Sequence, residues 1–230
     1  MASLPIFDVS GKEIGKYEID PTEIAATVNR QLLHDVVVMY QANARQGSHK
    51  TKNRSEVAGN RKKMYKQKGT GNARAGSRAS NIRRGGGHAF AIRNRDYSYR
   101  LPRKAIRLAT RMALAGKIQD EQVVVLDSLS MDAPKTSVVA KMLKGMGLEG
   151  STALITTADH SPNVYKSARN VPGVEVLQAA DLNALAILRP QRMVIEKAAI
   201  DQLKNKVKSC LLYTSPSPRD ATLSRMPSSA

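Results

Sequence analysis

Apolar residues fall into short, dense runs over most of this 230-residue chain and almost disappear through a long stretch of its first half. The runs LPIFDV (4–9) and EIGKYEI (13–19), separated by Ser10-Gly11-Lys12, predict two short strands around a turn. Pro21-Thr22 opens a helical pattern in which Ile24, Val28, Leu32, Val36 and Tyr40 recur every four residues. Leu33, Val37 and Met39 widen that stripe, and the helix is expected to end near Ala44, before Gly47. Periodicity resumes at LPRKAIRLATRMALAGK, where Ala105, Leu108, Ala109 and Met112 form one stripe and Arg103, Lys104, Arg107 and Arg111 the opposite side.

Helices and strands then alternate. VVVLD (123–127), TALITT (152–157), VEVLQ (174–178) and RMVIEK (192–197) predict strands. Between and after them, helices are predicted from Pro134 to Leu143, Ser161 to Arg169, Asp181 to Leu188 and Ala198 to Lys206. Val138, Val139, Met142 and Leu143 should be the inward face of the first of these. Short β-rich runs joined by helices argue for an α/β fold: one globular domain with a mainly parallel sheet flanked by helices. Residues 1–44 and 101–209 supply that domain. Residues 45–100 read as a long, extended basic internal loop, far beyond the roughly 15 residues at which loops in compact domains become uncommon. There is no internal repeat.

Charge changes the picture most. The formal net charge is +18, and it is not spread evenly. Residues 1–44 carry a net −3, residues 45–107 a net +17 and residues 108–209 a net +3. From Arg61 to Gly87 there is no acidic residue. Blocks of like charge stay open unless a polyanion neutralises them. A membrane surface would call for an apolar helical face beside the charge, which residues 45–87 lack, so nucleic acid is the better partner. No apolar run reaches transmembrane length, and the start, MASLPIFDVSGKEIGKYEID, has neither a signal-peptide pattern nor Arg-rich transit character. The expectation is a soluble intracellular protein.

Motifs for other chemistries fail on context. Gly145, Gly147 and Gly150 in GMGLEG match a dinucleotide fingerprint, but a helix precedes them and a strand follows, the reverse of what pyrophosphate binding needs. A left-handed helix cap at Gly145 or Gly147 is the simpler reading. Gly69-Thr70-Gly71 lacks the Lys-Ser/Thr ending of a phosphate loop. His34, His49, His88 and His160 are not at metal-ligand spacing. Asp159, His160 and Ser161 are adjacent in sequence, which suits a turn and helix start better than a triad assembled in space. No cofactor, metal or small-molecule substrate is expected.

The basic segment holds the chemistry that remains. Its Lys and Arg residues can neutralise phosphates, and Arg can bind them bidentately or stack on bases. Glycines at 69, 71, 76 and 85–87 permit close approach and unusual dihedrals. Tyr65, Phe90, Tyr97 and Tyr99 are available to stack on unpaired bases or to pack back on the domain. Neither a helix-turn-helix nor a basic zipper accompanies them, which argues for folded RNA rather than duplex DNA. The expected RNA-binding set is Arg45, Lys50, Lys52, Arg54, Arg61, Lys62, Lys63, Tyr65, Lys66, Gln67, Lys68, Gly69, Thr70, Gly71, Arg74, Arg78, Arg83, Arg84, His88, Arg93, Arg95, Arg103, Lys104 and Arg107. A soluble RNA-binding regulator would use the same surface, whereas a nucleotide-dependent enzyme would need a phosphate loop that is absent.

ARQGSHKTKNRSEV, followed by RKKMYKQKGTGNARAGSRASNIRRGGGHAF, resembles the central signature of the bacterial-type L4 family of large-subunit ribosomal proteins (uL4). KQKGTGNARAGS (66–77) is its most specific part, and LPRKAIRLATRMAL, APKT (133–136) and ARNVPGVEV (168–176) extend the resemblance over roughly residues 1–208. The resemblance implies a non-enzymatic, cytoplasmic structural constituent of the large subunit whose loop enters the rRNA. It implies that Lys66, Gln67, Lys68, Gly69, Thr70 and Gly71 form a loop tip in the wall of the polypeptide exit tunnel, opposite ribosomal protein L22 and beside the nascent polypeptide. Lys68 matches the basic tip position that the family associates with macrolide sensitivity, and Tyr65 stands where family members often carry Trp.

CLLYTSPSPRDATLSRMPSSA (210–230) departs from all of this. Translating a common transposon-type sequencing adapter reproduces Cys210 to Asp220 and, after a barcode-sized gap at Ala221 to Leu223, Ser224 to Ala230. The tail, with the lone Cys210, is expected to be non-native and disordered, and the native sequence after about residue 208 to be missing.

Overall fold

The computed structural model describes residues 2–211. Residues 39–100 form one compact unit, and the remaining described residues form another, built around a six-stranded sheet. Strand β1 (Ala2–Phe7) and strand β2 (Glu13–Ile19) make the antiparallel hairpin, and helices α1 (Pro21–Ile24) and α2 (Arg30–Asn43) follow. After the unit at 39–100 come α3 (Arg103–Gln119), β3 (Val123–Leu126), α4 (Thr136–Gly145), β4 (Ala153–Thr157) and α5 (Pro162–Ala168). The order ends with β5 (Val174–Gln178), α6 (Ala184–Leu188), β6 (Arg192–Glu196) and α7 (Lys197–Leu211).

The sheet runs β2-β1-β3-β6-β4-β5, and only the β1–β2 pair is antiparallel. The expected α/β class with a mainly parallel sheet is therefore the observed one. Strands β3 and β4 are buried along their whole length, as parallel strands covered on both faces must be. One face packs Leu126, Ile155 and Val194 against Val139, Met142, Val164 and Ala168 of α4 and α5. The alternate residues Val123, Val125, Leu154, Met193 and Ile195 point the other way and are equally buried. The chain enters the sheet's centre last: β6 inserts between β3 and β4, which are consecutive in sequence.

Three sequence expectations change. The single helix from Pro21 becomes two, because Ala25 is extended (φ −150°, ψ 123°) and ends α1. Asn29 then restarts the chain, its Oδ1 accepting the Leu32 N–H at 3.2 Å. Val28, which the four-residue repeat placed inward, lies in the break and is exposed. Leu108, expected on the buried stripe of α3, is 41% exposed, while Ala109, Met112, Ala113, Leu114, Ala115 and Ile118 are buried. Helix α7 runs past the expected end at Lys206 into the segment that begins at Cys210. The rest of the 210–230 tail lies outside the described residues.

Two glycines of GMGLEG have structural work. Gly147 takes the left-handed conformation (φ +70°) after α4, and the Leu148 N–H donates back to the Leu143 carbonyl at 2.9 Å, a helix cap. Gly145 instead meets Gly11 of the β1–β2 turn, where a Cβ on Gly11 would stand 2.8 Å from the Gly145 Cα. Asp159, His160 and Ser161 form the turn into α5: the Thr157 hydroxyl donates to the Asp159 carbonyl at 2.8 Å, and Ser161 is the residue before the helix.

Candidate nucleic-acid interface

Between Arg45 and Leu101 the described backbone has no helix and no ladder, only two isolated bridges, Asn53 with His88 and Lys63 with Ser77. Its order comes instead from short-range polar contacts, because there is little apolar surface to bury. Asn53 heads a single helical turn: its Oδ1 accepts the Ser55 and Glu56 N–H groups, each at 3.0 Å, and the Asn53 N–H donates back to Glu56 Oε2 at 3.2 Å. This reciprocal arrangement is a capping box with Asn as the cap. Lys50 Nζ pairs with Glu56 Oε1 at 2.8 Å. That hydrogen bond and the Asn53 N–H hold the Glu56 carboxyl below its ordinary pKa.

Farther along, the Met64 N–H donates to the Gly76 carbonyl at 3.1 Å, and Lys63 Nζ donates to Gln67 Oε1 at 2.5 Å. The Tyr65 hydroxyl donates to the Ala73 carbonyl. These contacts close residues 63–77 into a bend with Lys66 to Gly71 at its turn. Gly69 (φ +81°) and Gly71 (φ +66°) are left-handed there, with open space where a Cβ would stand. A side chain at either position is resisted by the backbone conformation within this chain, not by a clash. The glycine-rich stretch is closed by the Gly87 N–H donating to the Ala79 carbonyl at 3.1 Å and the His88 N–H to the Lys52 carbonyl at 2.9 Å.

The two limbs meet again at the segment's ends. The Thr51 N–H donates to the Ile92 carbonyl at 3.0 Å, and the Arg95 N–H to the Gly47 carbonyl at 3.3 Å. The guanidinium carbons of Arg45 and Arg95 lie 3.8 and 4.2 Å from the centre of the Tyr97 ring. Each such cation–π contact contributes about 0.5–1 kcal/mol at an exposed site. Tyr97 is thus occupied by arginines and is not a free platform for a base.

Almost all of the residues expected to bind RNA are exposed; Tyr65 and Arg83 are half-buried. Arg45 to Arg95 share the unit at 39–100. Arg103, Lys104 and Arg107 instead occupy the first turns of α3 in the other unit. Cations there oppose the helix dipole, and no side chain caps that end, so their placement costs stability in the isolated chain. Among the described residues, Lys50 is the only cation of 45–107 in an ion pair. Lys117, lower on α3, behaves differently: it is buried, and its Nζ donates to Gln122 Oε1 (2.6 Å) and to the carbonyls of Pro190 (2.7 Å) and Gln191 (3.2 Å). Burial pushes its pKa down.

Apolar exposure adds what the charge count did not. Phe90 is 99% exposed and Ile82 87%, and Ile92 is also open to solvent. Phe90 was a candidate from sequence. Ile82 and Ile92 were not, although an isolated apolar residue within a basic run was the signal that could have found them. Bare apolar groups amid unpaired cations suit nucleic acid, whose phosphates meet the charge and whose bases meet the apolar groups.

Comparison with known proteins places the chain in a family. Residues 17–206 match the family model described as the ribosomal protein L4/L1 family. A protein named large ribosomal subunit protein uL4 from Rhodopirellula baltica is 57% identical over 205 residues, 89% of this chain and 92% of that protein. Proteins of the same name from Desulforudis audaxviator and Carboxydothermus hydrogenoformans are 43% and 41% identical, covering 89% and 87% of this chain and 98% and 97% of their own. With a family match across most of its length and relatives this similar over 87–89% of it, the chain belongs to the ribosomal protein L4/L1 family.

Proposed function

We propose that this chain is a structural constituent of the large ribosomal subunit that binds rRNA through residues 45–100 and catalyses no reaction. The relatives named above are large-subunit proteins, which supports rRNA and other ribosomal proteins as its partners and the ribosome as its location. The observation that carries the reading is a segment whose many exposed cations have, among the described residues, one ion pair between them and whose Phe90 is bare. Such a segment is incomplete alone. Phosphates would neutralise Lys52, Arg54, Lys62, Arg74, Arg78, Arg84 and Arg93, letting RNA strands approach one another around the protein. Arg103, Lys104 and Arg107 at the start of α3 would bind phosphate in their own right, which would offset their unfavourable position there.

Lys66, Gln67, Lys68, Gly69, Thr70 and Gly71 are the tip in this reading, contributing to the wall of the polypeptide exit tunnel across from ribosomal protein L22 and next to the nascent polypeptide. Its support is the match of KQKGTGNARAGS to the family signature and the exposure of every residue from Lys66 to Gly71. If about eight phosphates are contacted, the logarithmic salt slope of rRNA binding is near −6 to −7.

Sedimentation tests the assignment. Tagged chain in a cell extract should remain with the large subunit through a high-salt sucrose gradient. Folded protein recovered only at the top of the gradient would overturn the assignment, provided a chain without residues 210–230 behaves in the same way.

A further inference from the structure

We propose that Tyr97 is the positioning residue of a phosphate clamp: its ring holds Arg45 and Arg95 ready to grip the sugar–phosphate backbone of one RNA strand. The inference rests on the rRNA-binding role above and adds a specific contact to it. Arg45 and Arg95 come from opposite limbs of the segment, yet their guanidinium carbons lie 3.8 and 4.2 Å from one ring centre. The two charges are therefore held within about 8 Å of each other, an arrangement that repulsion disfavours unless an anion offsets it.

No carboxylate in the segment supplies that anion. Residues 45–100 contain two acidic residues, Glu56 and Asp96. Glu56 is engaged with Lys50. Asp96, next to Arg95 in sequence, accepts the Ser98 N–H (2.8 Å) and the Ser98 hydroxyl (2.7 and 2.8 Å). The backbone around Tyr97 is fixed by further contacts: the Arg95 N–H donates to the Gly47 carbonyl, the Tyr97 hydroxyl meets His49 Nε2 at 3.3 Å, and the Tyr99 N–H donates to Asn43 Oδ1 at 3.0 Å. Gly47 is packed so closely that a Cβ on it would stand 2.0 Å from the Arg95 carbonyl oxygen. The arginines are thus aligned before any ligand arrives, which lowers the ordering cost of binding. A phosphodiester fits better than a base, because guanidiniums already lie over the ring and their planar forks match phosphate oxygens.

The test titrates the full chain and its variants with transcribed large-subunit rRNA across a range of salt concentrations. Replacing both arginines (Arg45→Gln with Arg95→Gln) should flatten the logarithmic salt slope by about 1 to 2. Tyr97→Ala should flatten it equally, the triple variant should be no worse than the double, and Tyr97→Phe should keep the original slope. If Tyr97→Ala does not fold by circular dichroism, Tyr97→Leu carries the same comparison. An unchanged slope in Tyr97→Ala, with a loss in the double arginine variant, would mean that the arginines act independently and would overturn the clamp. An unchanged slope in the double arginine variant, with a loss in Lys66→Gln/Lys68→Gln, would also overturn the clamp but leave the rRNA reading standing. Salt-insensitive binding by the unaltered chain would sink the rRNA reading itself.

Discussion

The two units of this protein solve the problem of order in opposite ways. The sheet unit buries continuous apolar strands between helices, so its stability is internal; its buried polar side chains are few, and among the described residues Thr156 Oγ1 alone lacks a partner. The unit at 39–100 has almost no core. It relies on side-chain caps, cross-limb backbone hydrogen bonds and arginines laid on Tyr97, and among the described residues it leaves every cation but Lys50 without a counter-ion. Fixing a residue's backbone costs about 1–2 kcal/mol, and a few polar contacts cannot offset that over so long a segment. The balance must come from a partner, so substitutions in the two units should produce different phenotypes.

The largest effect belongs to the sheet. Ile155→Ala in β4 removes a fully buried side chain from between α4, α5 and the strands beside it. It should cost about 2–5 kcal/mol in urea unfolding, while leaving the salt slope of rRNA binding unchanged in the folded fraction. A slope that changed with the core would mean that the two units are not separable in this way. Gly145→Val tests the same unit at a backbone contact. Packing a branched side chain against Gly11 should cost about 1–3 kcal/mol, and an unchanged melting temperature would show that the turn moves aside.

The reverse pattern is expected at Phe90. With its ring 99% exposed, Phe90→Ala should leave the melting temperature within experimental error. If the ring stacks on an unpaired base, the same substitution should weaken rRNA binding by about 1–3 kcal/mol without altering the salt slope, because no charge is lost. Equal affinity for both proteins would show that the ring meets no base.

How much was legible in the sequence follows the same division. VVVL and ALITT announce buried parallel strands because burial on both faces leaves no polar position, and the basic segment announces itself by charge. The insertion of β6 between β3 and β4 is set by long-range packing, which no local pattern encodes. The break between α1 and α2 was hidden by a four-residue apolar repeat that runs across it, although Asn29 carries a local cap signal. Within the basic segment hydrophobic periodicity had nothing to report. Asn53-Arg54-Ser55-Glu56 does have the spacing of a capping box, but with no apolar run behind it the motif gave no reason to expect a helical turn. The arrangement around Tyr97 joins residues far apart in sequence and had no local signature.

The smallest expected effect probes that capping box through pH. Glu56 accepts the Lys50 ammonium and the Asn53 N–H, both of which favour its charged form, so its pKa in the folded chain lies below the ordinary 4.5. A depressed carboxylate pKa contributes order that is fully present above the unfolded value and is lost as pH falls through the folded one. The backbone amide signal of Asn53, followed by nuclear magnetic resonance, should therefore titrate with its midpoint below 4.5. In Glu56→Gln the titration should vanish, with the Asn53 signal displaced at every pH. A midpoint at or above 4.5 would mean that the Lys50 pair is not formed in solution. The segment would then lose its one internal ion pair and depend still more on what it binds.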